Sequence, residues 1–217
     1  GSNNTAVGGG PYPYATLGNN SSGAANTAVG TSALAQNTTA SNNTAVGFCS
    51  LRSNTTGTDN VAVGREALTF NVVGTNNTAI GRDSLITNTI GIDNTAIGLN
   101  SMYYNTTGAN NTAVGFYSLI SNTTGIDNVA VGYASQNKNT TGRLNTTVGN
   151  YSLNSNTSGS NNTAVGNQSL FNNTTGSNNT ALGYGTLYAT TTGQDNVAVG
   201  YGTLLANSTG SYNTAVG

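Results

Sequence analysis

The sequence predicts an all-β protein, a parallel β-solenoid (β-roll) of about thirteen stacked coils with a 17-residue repeat. The first observation is the phrase Asn-Thr/Val-Ala-Val/Ile-Gly, which occurs thirteen times if Thr147 is allowed for Ala and Leu182 for Val. The second is its spacing, because the closing glycine recurs every 17 residues from Gly30 to Gly217. The third is composition: Asn, Thr, Val and Gly are poor helix formers, whereas Thr and Val favour strands and Asn and Gly favour turns.

Each part of the repeat, N-T-A-V-G-x-x-S-L-x-x-N-T-T-G-x-N/D, predicts a local structure. We predict a strand at N-T-A-V, a turn that starts at the glycine, a second short strand at x-x-S-L and a corner at N-T-T-G. Coils of this kind stack about 4.8 Å apart, which is the distance between neighbouring strands. A weaker 34-residue period is superimposed, because Asp59, Asp93, Asp127 and Asp195 close alternate repeats, with Asn161 between the last two.

The chain, residues 1–217, is predicted to be a single repeat array and a segment of a longer protein. Its first and last eight residues differ only at Asn3 and Tyr212, as expected of two cuts at equivalent points of an array. The first step between motif glycines is longer, at 22 residues, and the five extra residues fall at 9–13. This segment holds both prolines of the chain. Because proline cannot donate to a strand ladder, we expect an inserted loop there.

The asparagine that opens each repeat is predicted to form a structural ladder along the stack. Side-chain amides that repeat from coil to coil can hydrogen-bond to one another, as in cross-β structures. A ligand site would be local, whereas this column runs the full length, so we favour structure over ligand binding. A second column opens the N-T-T-G corners, beginning with Asn54 and Asn71. The ladder in the main strand comprises Asn43, Asn60, Asn77, Asn94, Asn111, Asn128, Asn145, Asn162, Asn179 and Asn196.

The two faces of the main strand are predicted to differ, because successive side chains point to opposite sides. We expect Val46 and its equivalents, with the Leu column, to fill the interior, and Ala45 and its equivalents to point outwards. An outward stripe of small apolar residues is a surface against which a parallel copy of the chain could pack. The alternative is that alanine is simply tolerated at a crowded strand. The stripe comprises Ala45, Ala62, Ala79, Ala96, Ala113, Ala130, Ala164, Ala181 and Ala198.

Composition argues against catalysis and against several kinds of partner. The chain has no His, so no general base of that type and no catalytic triad can be assembled. Charged residues make up 5% and the net charge is −1, which gives no basic surface for nucleic acid. No apolar run is long enough to insert into a membrane. The Asp residues could hold Ca²⁺ at a corner, but the G-G-x-G-x-D signature is absent, so we expect no metal site and no cofactor.

Aromatic residues are the one feature that could carry recognition. Five of them directly follow the motif glycine: Phe48, Phe116, Tyr133, Tyr184 and Tyr201. Exposed rings in a row could stack on sugar rings and bind a surface glycan. They could equally cover a corner or line a contact between chains.

The recurring motif N-x-A-V/I-G resembles the head repeats of trimeric autotransporter adhesins. The longer form N-T-T-G-x-N-N-T-A-V-G-x-x-S-L is similar to arrays in phage and giant-virus fibre proteins and in bacterial surface proteins. The resemblance covers essentially the whole chain. It implies a parallel β-roll, three chains packed around a common axis, and an adhesive or fibre function at a cell or virion surface.

Residues and resemblance together predict a non-catalytic extracellular fibre segment that self-associates, as a homotrimer or as a filament. Two alternatives remain open besides glycan binding. One is an ice-binding solenoid, although the strand reads T-A-V where paired Thr columns would read T-x-T. The other is a subunit that polymerises end to end, because uncapped solenoids expose strand edges.

Overall fold

The structure, a computed structural model, describes residues 1–11 and 13–217, and Tyr12 lies outside the described residues. It divides into two compact units, Gly1–Ala109 and Asn110–Gly217. The first unit contains six strands: β1 (Thr5–Val7), β2 (Thr27–Val29), β3 (Thr44–Val46), β4 (Val61–Val63), β5 (Thr78–Ile80) and β6 (Thr95–Ile97). The second contains seven: β7 (Thr112–Val114), β8 (Val129–Val131), β9 (Thr146–Val148), β10 (Thr163–Val165), β11 (Thr180–Leu182), β12 (Val197–Val199) and β13 (Thr214–Val216). The prediction of one continuous array stays a prediction.

Within each unit the strands pair in parallel with their sequence neighbours, and equivalent residues face one another. In the first unit Ala45 of β3 lies opposite Ala28 of β2 and Ala62 of β4. In the second, Ala164 of β10 lies opposite Thr147 of β9 and Ala181 of β11. This register brings each residue against its counterpart 17 positions away. The predicted all-β fold, a parallel β-solenoid with a 17-residue repeat, is confirmed.

The motif glycine is required by both conformation and space. Gly81 has a φ of 131°, and a Cβ atom at this position would lie only 2.6 Å from the carbonyl oxygen of Gly98. Residues with side chains rarely adopt such a φ, and the neighbouring coil leaves no room for one. The glycine therefore recurs in every repeat because the chain turns sharply against the adjacent backbone.

The second strand predicted at x-x-S-L is wrong, because this segment forms turns. Its leucine lies in the left-handed region, as at Leu51 with φ of 50°, and the residue two places earlier does too, as at Cys49 with φ of 55°. A turn bond runs from the amide of Asn54 to the carbonyl of Leu51 (3.3 Å). Left-handed residues at every second position curve the chain too tightly for a strand and direct the leucine inwards. Coils still bond here, since the amide of Leu51 donates to Ala67 at 2.9 Å.

The core of each unit is narrow and consists of two facing columns, one of large residues and one of alanines. The large residues are fully buried: Leu34, Leu51, Leu68, Leu85, Met102, Leu119, Gln136, Leu153, Leu170 and Leu187. The predicted orientation of the main strand is reversed, because its alanine points inwards and the flanking Thr and Val lie at the surface. A coil of 17 residues encloses little space, and once leucine fills it only a methyl group fits opposite.

The proposed outward alanine stripe is therefore wrong. Its members all have 0% exposure and cannot contact another chain: Ala45, Ala62, Ala79, Ala96, Ala113, Ala130, Ala164, Ala181 and Ala198. The prediction that Val46 and its equivalents point inwards is wrong for the same reason.

The inserted loop is present in the described part of residues 9–13. Gly9, Gly10, Pro11 and Pro13 are exposed and belong to no strand, and the amide of Tyr14 closes a turn by donating to the carbonyl of Pro11 at 2.7 Å. The predicted loop is confirmed for these residues, and the part that falls on Tyr12 lies outside the described ones.

Candidate functional site

The asparagine that precedes each main strand forms the predicted ladder, which we call the strand ladder. Both the backbone amide and Nδ2 of Asn60 donate to Oδ1 of Asn43, at 3.0 and 3.1 Å. Nδ2 of Asn60 also donates to the carbonyl of Gly74 at 2.9 Å. The same contacts recur in the second unit, where Asn162 donates to Asn145 and to Gly176. Each side chain thus links coils through both its oxygen and its nitrogen.

A second ladder, the corner ladder, runs through the N-T-T-G corners. Nδ2 of Asn54 donates to Oδ1 of Asn37 at 3.0 Å and to the carbonyl of Gly57 at 2.9 Å. In the second unit the ladder is interrupted at Thr190, whose hydroxyl donates instead to the backbone carbonyl of Asn207. Oδ1 of Asn173 is consequently buried without a hydrogen-bond partner among the described residues. Away from the first and last repeats these asparagines are buried, so their side chains hold the coils together and do not face solvent.

Exposed asparagine and aspartate alternate at the last position of the repeat and explain the 34-residue period. Nδ2 of Asn42 donates to Oδ1 of Asp59 at 3.1 Å, and Asn76 donates to Asp93 at 3.0 Å. In the second unit Asn178 donates to Asp195 in the same way. An amide beside each carboxylate supplies a donor, whereas two carboxylates one coil apart would repel. The alternation is visible in the sequence, but the hydrogen bonds between these asparagines and aspartates follow only from the register in which the coils stack.

The two exceptions to the core columns lie against each other. Gln136 takes the place of leucine and Thr147 that of alanine, and Nε2 of Gln136 lies 3.0 Å from Oγ1 of Thr147. Nε2 also donates to the carbonyl of Val129 at 3.0 Å, and Thr147 Oγ1 lies 2.6 Å from Oγ of Ser135. A polar residue in one column is thus accommodated by a polar residue in the facing column. Oε1 of Gln136 has no hydrogen-bond partner among the described residues.

The five aromatic residues proposed for glycan binding are divided between the units, with Phe48 in the first and the other four in the second. Phe116 and Tyr133 stack with ring centroids 5.4 Å apart, and Tyr184 and Tyr201 stack at 5.3 Å with an interplanar angle of 8°. Phe48 instead lies under the guanidinium of Arg65, 6.0 Å from the ring centroid. Rings that stack cover each other's faces, which are the parts that would contact a sugar.

A larger aromatic cluster in the second unit was only partly anticipated from the sequence. Tyr151 meets the ring of Tyr133 edge-on at 4.9 Å and that of Phe171 at 6.2 Å, and Phe171 stacks on Tyr188 at 5.2 Å. A hydrogen bond with Tyr133 raises the pKa of Tyr151 above its ordinary value. Phe171 and Tyr188 lie five places after the motif glycine. Their contact with the other rings depends on the path of the turns, so it could not be predicted from the spacing alone.

The outer face of the main strands is a surface of β-branched residues, which we call the outward columns. Each strand contributes its first and third residues, Thr or Val and then Val, Ile or Leu, and these are partly or fully exposed in every strand. No charged residue occurs at either position in any repeat. The sequence pattern predicted alanine at this surface.

Among residues 1–11 and 13–217, no group of three or more His, Cys, Asp or Glu side chains could hold a metal ion. The same residues include no helix long and apolar enough to cross a membrane.

Comparisons with protein-family models, with curated proteins and with solved structures find no match for this chain. Membership of the repeat family that the sequence resembles therefore stays a prediction.

Proposed function

We propose that this chain is a non-catalytic, structural and adhesive segment of an extracellular fibre at a cell or virion surface. The observation that supports it most is the use of the buried polar groups. In each unit the strand ladder and the corner ladder hydrogen-bond coil to coil, repeat after repeat. Polar columns of this kind resist shear between coils and suit a stiff element that carries surface features at regular intervals.

Self-association is proposed to use the outward columns. They form an uncharged face of Val, Ile, Leu and Thr that is partly exposed along the strands of each unit. Contiguous apolar surface of this kind is what another copy of the chain would cover. We propose lateral packing of parallel copies, as a homotrimer, with Val63 and Val131 among the contacts.

Light scattering over a range of concentrations tests this assembly. We expect a mass of three chains for the wild type and a shift to one chain for the double variant Val63→Lys/Val131→Lys, because two buried charges would be left unpaired. The matched control is Thr56→Lys/Thr124→Lys, which places the same charges at exposed corners and should stay trimeric. A wild-type monomer contradicts the lateral interface, and open-ended growth with concentration favours end-to-end polymerisation.

Ice binding is a second candidate, favoured by one specific observation. Thr and Val point outwards from the same strand, and Thr27 and Val29 lie in register with Thr44 and Val46 on the next. The face is therefore a regular array of hydroxyl and methyl groups, spaced about 4.8 Å between strands and about 6.6 Å along them. Thermal hysteresis that is lost in Thr44→Lys would support this candidate. Its absence in the wild type would exclude it.

A further inference from the structure

An open cavity of about 360 Å³ lies on the first unit, and three consecutive repeats supply its lining. Phe48, Phe70 and Ile86 provide apolar surface, and Arg52, Glu66 and Thr69 provide polar groups. Its volume is in the range of small-molecule sites, which are apolar with a few polar groups. The aromatic walls are partly open to solvent, since Phe48 is 48% and Phe70 is 44% exposed.

Arg52 is the polar group of this cavity that is free to bind a ligand. Its Nε atom is buried and has no hydrogen-bond partner among the described residues. Its guanidinium carbon lies 5.9 Å from the ring centroid of Tyr14 and 5.8 Å from that of Phe70, so two aromatic rings flank the charge. An unpaired cation beside apolar surface is costly, and an anionic acceptor in the cavity would pair the charge of the guanidinium.

The other polar groups of the cavity already have partners. Glu66 Oε1 accepts from Arg65 at 3.1 Å. The hydroxyl of Thr69 donates to the backbone carbonyls of Cys49, at 3.0 Å, and Glu66, at 2.8 Å. The cavity therefore has one guanidinium without an ion-pair partner among the described residues, beside aromatic and aliphatic surface.

We propose that this cavity binds a small carboxylate attached to an aromatic or branched apolar group. Arg52 takes the carboxylate, because a guanidinium donates to both oxygens of such a group. Phe48, Phe70 and Ile86 contact the apolar part. The proposal is independent of the fibre function, since it concerns one local departure from the repeat.

N-acetyl-tryptophan is a suitable probe, because the chain contains no Trp and the indole fluorescence of the probe is unobscured. Titration of the probe with the protein, followed by fluorescence anisotropy, should give a Kd of about 0.1–1 mM, as expected for a ligand of this size. The neutral N-acetyl-tryptophanamide should bind about tenfold more weakly, because it lacks the charge-assisted hydrogen bonds.

The variant Arg52→Gln should weaken binding of N-acetyl-tryptophan about tenfold and remove the preference over the amide. Arg143→Gln removes an exposed arginine of the second unit and should leave the Kd unchanged. Other repeats carry Thr69 or Ile86 at the position of Arg52, so the variant should fold, and its thermal unfolding checks this. Equal affinity for acid and amide, an unaffected Arg52→Gln variant, or no saturable binding would overturn the proposal.

Discussion

The interior and the exterior of the same repeat follow different rules. Inside, the position of Leu51 is leucine in nearly every repeat, and the position of Asn43 is always asparagine. Outside, the position directly after the motif glycine is Thr31, Arg65 or Tyr201, with no common chemistry. A narrow core and ladders that bond identical residues tolerate little change. The conserved positions of the repeat thus determine the fold, whereas the features that differ from one repeat to the next are confined to a few exposed positions.

Substitution of a strand-ladder asparagine should have the largest effect on stability. Asn77→Ala removes the donor to the carbonyl of Gly91 and the acceptor for both the amide and Nδ2 of Asn94. Several buried groups lose their partners at once, so we expect a loss of about 3–5 kcal/mol in the free energy of unfolding. Chemical denaturation measures it.

The matched control is the neighbouring exposed residue, Asn76→Gly. Asn76 also donates to the next coil, at Asp93, but does so in solvent. Glycine keeps its left-handed conformation, so the loss should stay below about 0.5 kcal/mol. Similar losses for the two variants would contradict the distinction between inside and outside.

A larger residue in the inward alanine column should have the next largest effect on stability. Ala62 faces the core with 0% exposure, so Ala62→Val should cost about 1–3 kcal/mol through overpacking. The reverse change one residue on, Val63→Ala, trims a partly exposed side chain and should cost less than 1 kcal/mol in the monomer. Thermal unfolding of both variants, below the concentration of assembly, shows which one loses more stability. A larger loss for Val63→Ala than for Ala62→Val would contradict the inward position of Ala62.

Repair of the corner ladder should give the smallest effect, and a stabilising one. Thr190→Asn places an Nδ2 donor next to the unpartnered Oδ1 of Asn173 and should add about 1 kcal/mol to the free energy of unfolding. Thr192→Asn makes the same change at an exposed position and should be neutral. Equal effects, or destabilisation by Thr190→Asn alone, would show that the ladder does not contribute in the way described.

Much of the fold could be predicted from the sequence, because a constant 17-residue period fixes which residues stack. The strand ladder followed directly, since Asn43 and Asn60 come into contact in any in-register stack. Which face of the strand points inwards could not be predicted in this way, because alternation shows only that Ala45 and Val46 point in opposite directions. We assigned the larger residue to the core, whereas leucines held in left-handed turns already fill it and leave space for a methyl group.

The surface sites were less predictable for a related reason. The sequence identifies the individual aromatic residues. Which rings are in contact depends on the segment after the motif glycine, which was predicted to be a strand and forms turns. Arg52 carries no signal in the sequence either. Its two aromatic neighbours, Tyr14 and Phe70, are 38 and 18 positions away, and only the coiling of the chain brings them together.

The central claim is that alanine lies inside and its neighbours outside, and thiol accessibility tests it most directly. Cys49 is the only cysteine, so a Cys49→Ser background allows a single new thiol at Ala62→Cys or Val63→Cys. Reaction with a thiol reagent under native conditions, below the concentration of assembly so that the outward columns are uncovered, is then compared with reaction in denaturant. The account predicts rapid labelling at position 63 and labelling at position 62 only on unfolding. Protection at 63 with free reaction at 62 would contradict it and restore the outward alanine stripe.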